Sequence, residues 1–207
     1  MDEELRKSGV FFLPWIGEHF SASNGTRLLI LGESHYSDAK SETPELTRSC
    51  ISEHASRVWN HRFFTMLTQL VTGQDHFLVD RQAFWAKVSF YNYVQRSVAD
   101  SWGIAPSDDD FVRNESALRA VIERLNPTHV LVCSWRLWNN LPSNIFAPSA
   151  LVSLSERFQI WSMNTEPTVL SMGIPHPSRA AREPVTQLVS QFLSYKTRTS
   201  DLQQAKG

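Results

Sequence analysis

Three short stretches carry side chains able to do chemistry. Glu33-Ser34-His35-Tyr36-Ser37-Asp38 is an unbroken polar run in which every side chain can hydrogen-bond and several can ionise. Asn92 sits inside the aromatic, β-branched stretch VSFYNYV, where an amide is poorly suited to a strand. Its place has two readings: a functional amide, or a strand that ends one residue earlier. His176-Pro177-Ser178-Arg179 joins an imidazole, a hydroxyl and a guanidinium within four positions. Carboxylates and imidazoles move protons, amides read polar edges, and hydroxyl–guanidinium pairs hold phosphate. Each stretch also has a plainer reading as ordinary loop polarity.

The elements around these stretches give them a common place. Leu28 to Leu31 is a continuous apolar run, the pattern of a strand buried on both faces, and Gly32 stops it. His129 to Cys133 and Thr168 to Met172 read as two more core strands, and Val88 to Val94 as another strand. Helices are expected from Glu45 to Arg57, then from Trp59 to Gly73 on the spacing of Trp59, Phe63, Met66, Leu67 and Leu70. A short helix follows at Asp80 to Lys87. The Leu118, Val121, Ile122 and Leu125 stripe marks a further one, started by the acidic run Asp108 to Asp110 and stopped at Asn126-Pro127. Trp135 to Leu141 follows the third strand, and Val185 to Leu193 forms a last amphipathic stripe with Pro184 in its first turn. Ser143 to Ser155 reads as loop and Phe158 to Trp161 as a short extra strand. Residues 1–26 read as an aromatic packing segment of loop and short helix, and 197–207 as a frayed tail.

Strands alternating with helices predict one α/β domain over residues 1–207 with a mainly parallel sheet. In such sheets ligands bind outside the carboxyl ends of the strands, where all three polar stretches fall.

Composition narrows the classes. With 42% hydrophobic residues in 207, the chain can bury a sizeable core. No apolar run approaches the ~20 residues of a membrane span, and the start lacks the basic character of a signal peptide, so a cytoplasmic protein is expected. Two cysteines cannot build a disulfide framework, a four-cysteine zinc site or a cysteine-ligated iron–sulfur cluster. His54 and His61 have no carboxylate or cysteine partner at ligand spacing, so no metal and no other cofactor is expected. A net charge of −1 requires any nucleic-acid contact to use a local basic patch.

Gly32-Glu33-Ser34-His35-Tyr36, Asn92 within FYNYV, and His176-Pro177-Ser178 together resemble, in order and spacing, the motifs of the uracil-DNA glycosylase superfamily, over roughly residues 27 to 195. The resemblance implies a three-layer α/β/α sandwich around a mainly parallel sheet of about four strands. It also implies a monomer that hydrolyses the N-glycosidic bond of a flipped base in DNA. On that reading His176 stabilises the departing base. Glu33, Ser34 and Asp38 compete to orient water or support the sugar cation, Glu33 first. Asn92 reads the pyrimidine edge, and Tyr36 faces pyrimidine C5. His35, Trp59 and Phe63 complete the base pocket, Phe63 chiefly as core. Ser178, Arg179 and Arg182 suit the DNA phosphate. Ser34 departs from the Asp or Asn that water-activating relatives carry, and the two cysteines exclude the cluster-bearing branches. The base is uracil or a modified pyrimidine, with a hypermodified phage cytosine, and so a defence role, as one alternative. Two other classes stay open: a serine hydrolase using Ser34 with His176 as base, and a DNA-binding module without catalysis.

Overall fold

The computed structural model describes residues 1–22, 25–36, 42–98 and 104–196. Its centre is a seven-stranded mixed sheet: β1 (Trp15–Ile16), β2 (Leu28–Gly32), β3 (Ser89–Asn92), β4 (His129–Cys133), β5 (Phe146–Ser153), β6 (Gln159–Met163) and β7 (Leu170–Ile174), in the order β1-β3-β2-β4-β7-β6-β5. The middle four, β3-β2-β4-β7, run parallel, with Gly32 beside Asn92 and Cys133 beside Ile174 at their carboxyl ends. β1, β6 and β5 add antiparallel edges.

The expectation of about four mainly parallel strands is therefore corrected to a larger, mixed sheet. Two of the extra strands gave little signal. β1 is two residues long, and β5 carries Pro148 with register shifts between Phe146 and Val152. Proline and bulges are tolerated at an edge, where no second neighbour needs the amide, and they erase the alternation that marks a strand.

Helices cover both faces: α1 (Asp2–Lys7), α2 (Leu46–Ala55), α3 (Arg62–Thr72), α4 (Arg81–Trp85), α5 (Asp108–Arg113), α6 (Glu115–Leu125), α7 (Trp135–Asn140) and α8 (Arg182–Ser194). Period-two alternation sorts the strand residues. Leu29, Leu31, Val130 and Val132 join Leu118, Val121 and Leu137 in one core. Leu28, Ile30, Leu131 and Cys133 join Phe63, Leu67, Val189 and Phe192 in the other. The acidic run does start a helix: Ser107 and Asp110 form a reciprocal capping box on α5. α6 ends on Asn126 in the left-handed conformation, ahead of Pro127. α3 begins at Arg62, three residues later than its apolar spacing suggests, which leaves Trp59 in the preceding turn.

Candidate functional site at the carboxyl edge of the sheet

Four strand ends build this site, and Gly32 lets two of them close together. A side chain on Gly32 would have its Cβ only 2.6 Å from the Phe90 ring, and the Asn92 amide oxygen fills the same space. Only glycine lets the Asn92 side chain cross the end of β2. Asn92 is 5% exposed, yet its amide makes no hydrogen bond to any described residue. An amide that the fold leaves unpaired at a strand end can offer its carbonyl and NH₂ to a ligand.

Phe63, from the first turn of α3, forms the wall between the Asn92 strand and the His176 loop. Its ring lies 6.1 Å from that of Phe90 and 5.2 Å from that of His176. It serves both as core and as site wall, being 9% exposed. His176 follows β7 and opens a 3₁₀ turn over Pro177–Arg179. The residue is exposed at its surface, but its ring is walled by Phe63, and its pKa is lowered chiefly by this desolvation. Arg179 and Arg136 lower it further and Glu33 opposes them. The imidazole makes no hydrogen bond to a described residue, so it too is available.

Glu33 and Tyr36 face a residue that the sequence reading passed over. Arg136, on α7, holds Glu33 through a two-pronged guanidinium–carboxylate pair, with Nε to Oε2 at 2.9 Å and Nη2 to Oε1. Tyr36 also acts on the Arg136 charge electrostatically. Ser134 caps α7 through Oγ to the Arg136 amide at 3.1 Å, and its hydroxyl reaches Glu33 Oε2 at 3.5 Å. The signal was present: Ser134 and Arg136 follow the HVLVC strand as directly as Glu33 follows its own. They were missed because they lie inside a helical pattern.

Other sequence expectations are redistributed. His35 is 8% exposed, its Nε2 is 2.8 Å from Thr47 Oγ1, and its ring packs edge-on against Phe12. Burial lowers its pKa to about 4. Loop 33–36 runs alongside Tyr93 to Val98, and the ring packs inward between Thr47 and Phe12. The Ser34 hydroxyl is buried without a partner and makes no bond to His176. Asp38 lies outside the described residues, as does the 197–207 tail.

Trp59 is 39% exposed and rests on His61 at 4.8 Å between ring centres. His61 is the residue just ahead of α3, so Trp59 sits in the turn that leads into that helix. Ser178 and Arg179 sit on the 3₁₀ turn, where Arg62 Nη2 donates to the Ser178 carbonyl at 3.4 Å. Arg182 does not extend this group. Its Nη1 reaches Asp75 at 3.3 Å, because the first turn of α8 carries it toward the end of α3. Arg62 takes its place.

A surface cavity of about 680 Å³, lined by Leu28, Val88, Thr72 and Leu193 among others, lies at the opposite, amino ends of β2 and β3. Among the described residues no cluster of three or more His, Cys, Asp or Glu could hold a metal ion. No helix among them is long and apolar enough to cross a membrane. No protein-family model matches the chain, and comparison with curated proteins gives no match.

Proposed function

We propose that this chain is a DNA glycosylase that hydrolyses the N-glycosidic bond of a flipped uracil or modified pyrimidine and leaves an abasic site. The observation that carries the reading is the unpaired Asn92 amide beside Gly32 and Phe90, with Phe63 packed between Phe90 and an unpaired imidazole at His176. A pyrimidine edge presents adjacent hydrogen-bonding atoms to such an amide, and a flipped base brings them there. The C1′–N1 bond breaks with its electron pair leaving on the base. The His176 N–H bonds the base oxygen on which that charge develops. Water adds to C1′, and its proton ends on the departed base. Glu33 orients that water through Oε1, which keeps a lone pair beyond the one used by Arg136, while Oε2 is occupied by Arg136 and Ser134. Ser178, Arg179 and Arg62 hold the flanking phosphate.

The serine-hydrolase reading needs a bond between Ser34 and His176, and none is present. A single-turnover assay of abasic-site formation on matched oligonucleotides containing uracil, cytosine or modified cytosine tests the proposal. Abasic product from at least one substrate is expected. No product from any of them, with or without DNA binding, overturns the reading, and labelling of Ser34 by a fluorophosphonate would replace it.

A further inference from the structure

We propose that Arg136 is a positioning residue of this site: it braces loop 33–36 against α7, holds the Glu33 carboxylate in place, and sets the charge felt by His176. The inference rests on the glycosylase reading only for the reaction that the brace serves.

The geometry is that of a brace. Arg136 reaches from α7, just after β4, to the loop after β2, gripping Glu33 at both carboxylate oxygens. The Glu33 side chain is 10% exposed while that of Arg136 is 46% exposed, so the carboxylate is sunk in the site and the cation closes over it. A guanidinium fork fixes the carboxylate plane as well as its position, which an ammonium cannot do. Ser134 holds the base of the brace through its cap on α7 and its approach to Glu33. No other described basic side chain forms an ion pair with Glu33.

His176 reads out the arrangement. The charged and titratable groups that act on it electrostatically are Glu33 from the loop after β2, Arg136 from α7, Arg179 from its own turn and His61 from just before α3. Glu33 favours the imidazolium, while Arg136 and Arg179 oppose it. Removing the Arg136 charge therefore leaves Glu33 unopposed, and the imidazole titrates higher. Replacing Arg136 by lysine keeps the charge and loses the fork. The two variants separate the electrostatic part of the role from the geometric part.

The experiment pairs an NMR titration of the His176 ring with single-turnover base release in the parent, Arg136→Gln, Arg136→Lys and Glu33→Gln, with thermal unfolding of each as a check on folding. In Arg136→Gln the His176 pKa should rise by roughly half a unit, and in Glu33→Gln it should fall by a similar amount. In Arg136→Lys it should stay near the parent value. Base release should drop roughly ten- to a hundredfold in both Arg136 variants, because a misplaced Glu33 no longer orients the water. An unchanged His176 titration in Arg136→Gln overturns the proposal. So does full base release in Arg136→Lys, which would leave charge alone as the role. If the parent releases no base from any DNA, the glycosylase reading fails while the His176 titration still decides the electrostatic brace.

Discussion

Two groups of buried or half-buried polar side chains lie in one half of this molecule and behave in opposite ways. Below the strand ends, between α2, α3 and α4, His54 is fully buried and fully engaged. The Trp85 indole donates to its Nδ1 at 3.0 Å, which places the imidazole proton on Nε2, facing Thr65 Oγ1 at 3.4 Å. His35 is likewise matched with Thr47. At the strand ends Asn92 and His176 have no hydrogen-bond partner among the described residues. Both groups contain residue types that catalyse reactions. The first group is part of the fold, because every donor meets an acceptor. The second is left unfinished by the fold, which makes it the place to look for a ligand.

Breaking the comparison at Asn92 should produce the largest change. Asn92→Ala removes no hydrogen bond from the folded protein, so stability should move by less than about 1 kcal/mol. Base release should fall roughly a hundredfold or more, since a bidentate base contact is worth up to about 3 kcal/mol. A large loss of melting temperature with intact base release would place Asn92 in the structural group instead.

The converse holds for His54. His54→Ala strands the Trp85 indole N–H and opens a cavity, at a cost of about 3 kcal/mol. Base release per folded molecule, measured well below the melting temperature, should stay near the parent rate. A selective loss of activity without loss of stability would dissolve the distinction between the two groups.

Acid sharpens the comparison further. Burial lowers the pKa of His35 to about 4 and, helped by the Arg81 charge, that of His54 to about 3, against about 6.5 for a free imidazole. Above pH 6.5 both are neutral folded or unfolded and contribute no pH dependence. Below it the unfolded chain binds protons that the folded one refuses, so stability falls with pH until the folded values are reached. At pH 5.5 each should cost about 1.4 kcal/mol. Chemical denaturation at pH 7.5 and 5.5 measures the sum, and His35→Gln should reduce the difference. Equal stabilities at the two pH values would mean that the burial of these imidazoles is wrongly understood.

The strands that position the site were legible because unbroken apolar runs such as LLIL and HVLVC have few other uses. The edge strands were not, since Pro148 and the bulges of β5 hide its pairing, which only the partner β6 defines. At the site itself, Asn92 and His176 stood out because each sits where its type is out of place or flanked by proline. Arg136 and Arg62 did not, because an arginine early in a helix is ordinary until a long-range partner is known. The placement of His35 has the same root. A histidine beside Glu33 and Tyr36 in sequence looked like part of their site, and only Thr47 and Phe12, twelve and twenty-three positions away, reveal that it faces the core.

The smallest effects should come from the cations around the 3₁₀ turn, and they test the redistribution of the phosphate group. Arg179 is exposed beside His176, and among the described residues Arg62 is tied only to the Ser178 carbonyl, so both can turn their charge toward a phosphate. Arg182 already faces Asp75 from the first turn of α8. Phosphate contacts release condensed counterions, so each one lost should reduce the slope of log affinity against log salt by about 0.9 on duplex DNA. Arg179→Ala and Arg62→Ala should each show that reduction, with affinity weakened alike for every base in the target position, because phosphates position and do not specify. Arg182→Ala should leave the slope unchanged. Fluorescence-anisotropy titrations at four salt concentrations separate the three variants. A slope change in Arg182→Ala as large as that in Arg179→Ala would return Arg182 to the phosphate group and show that its bond to Asp75 gives way to DNA.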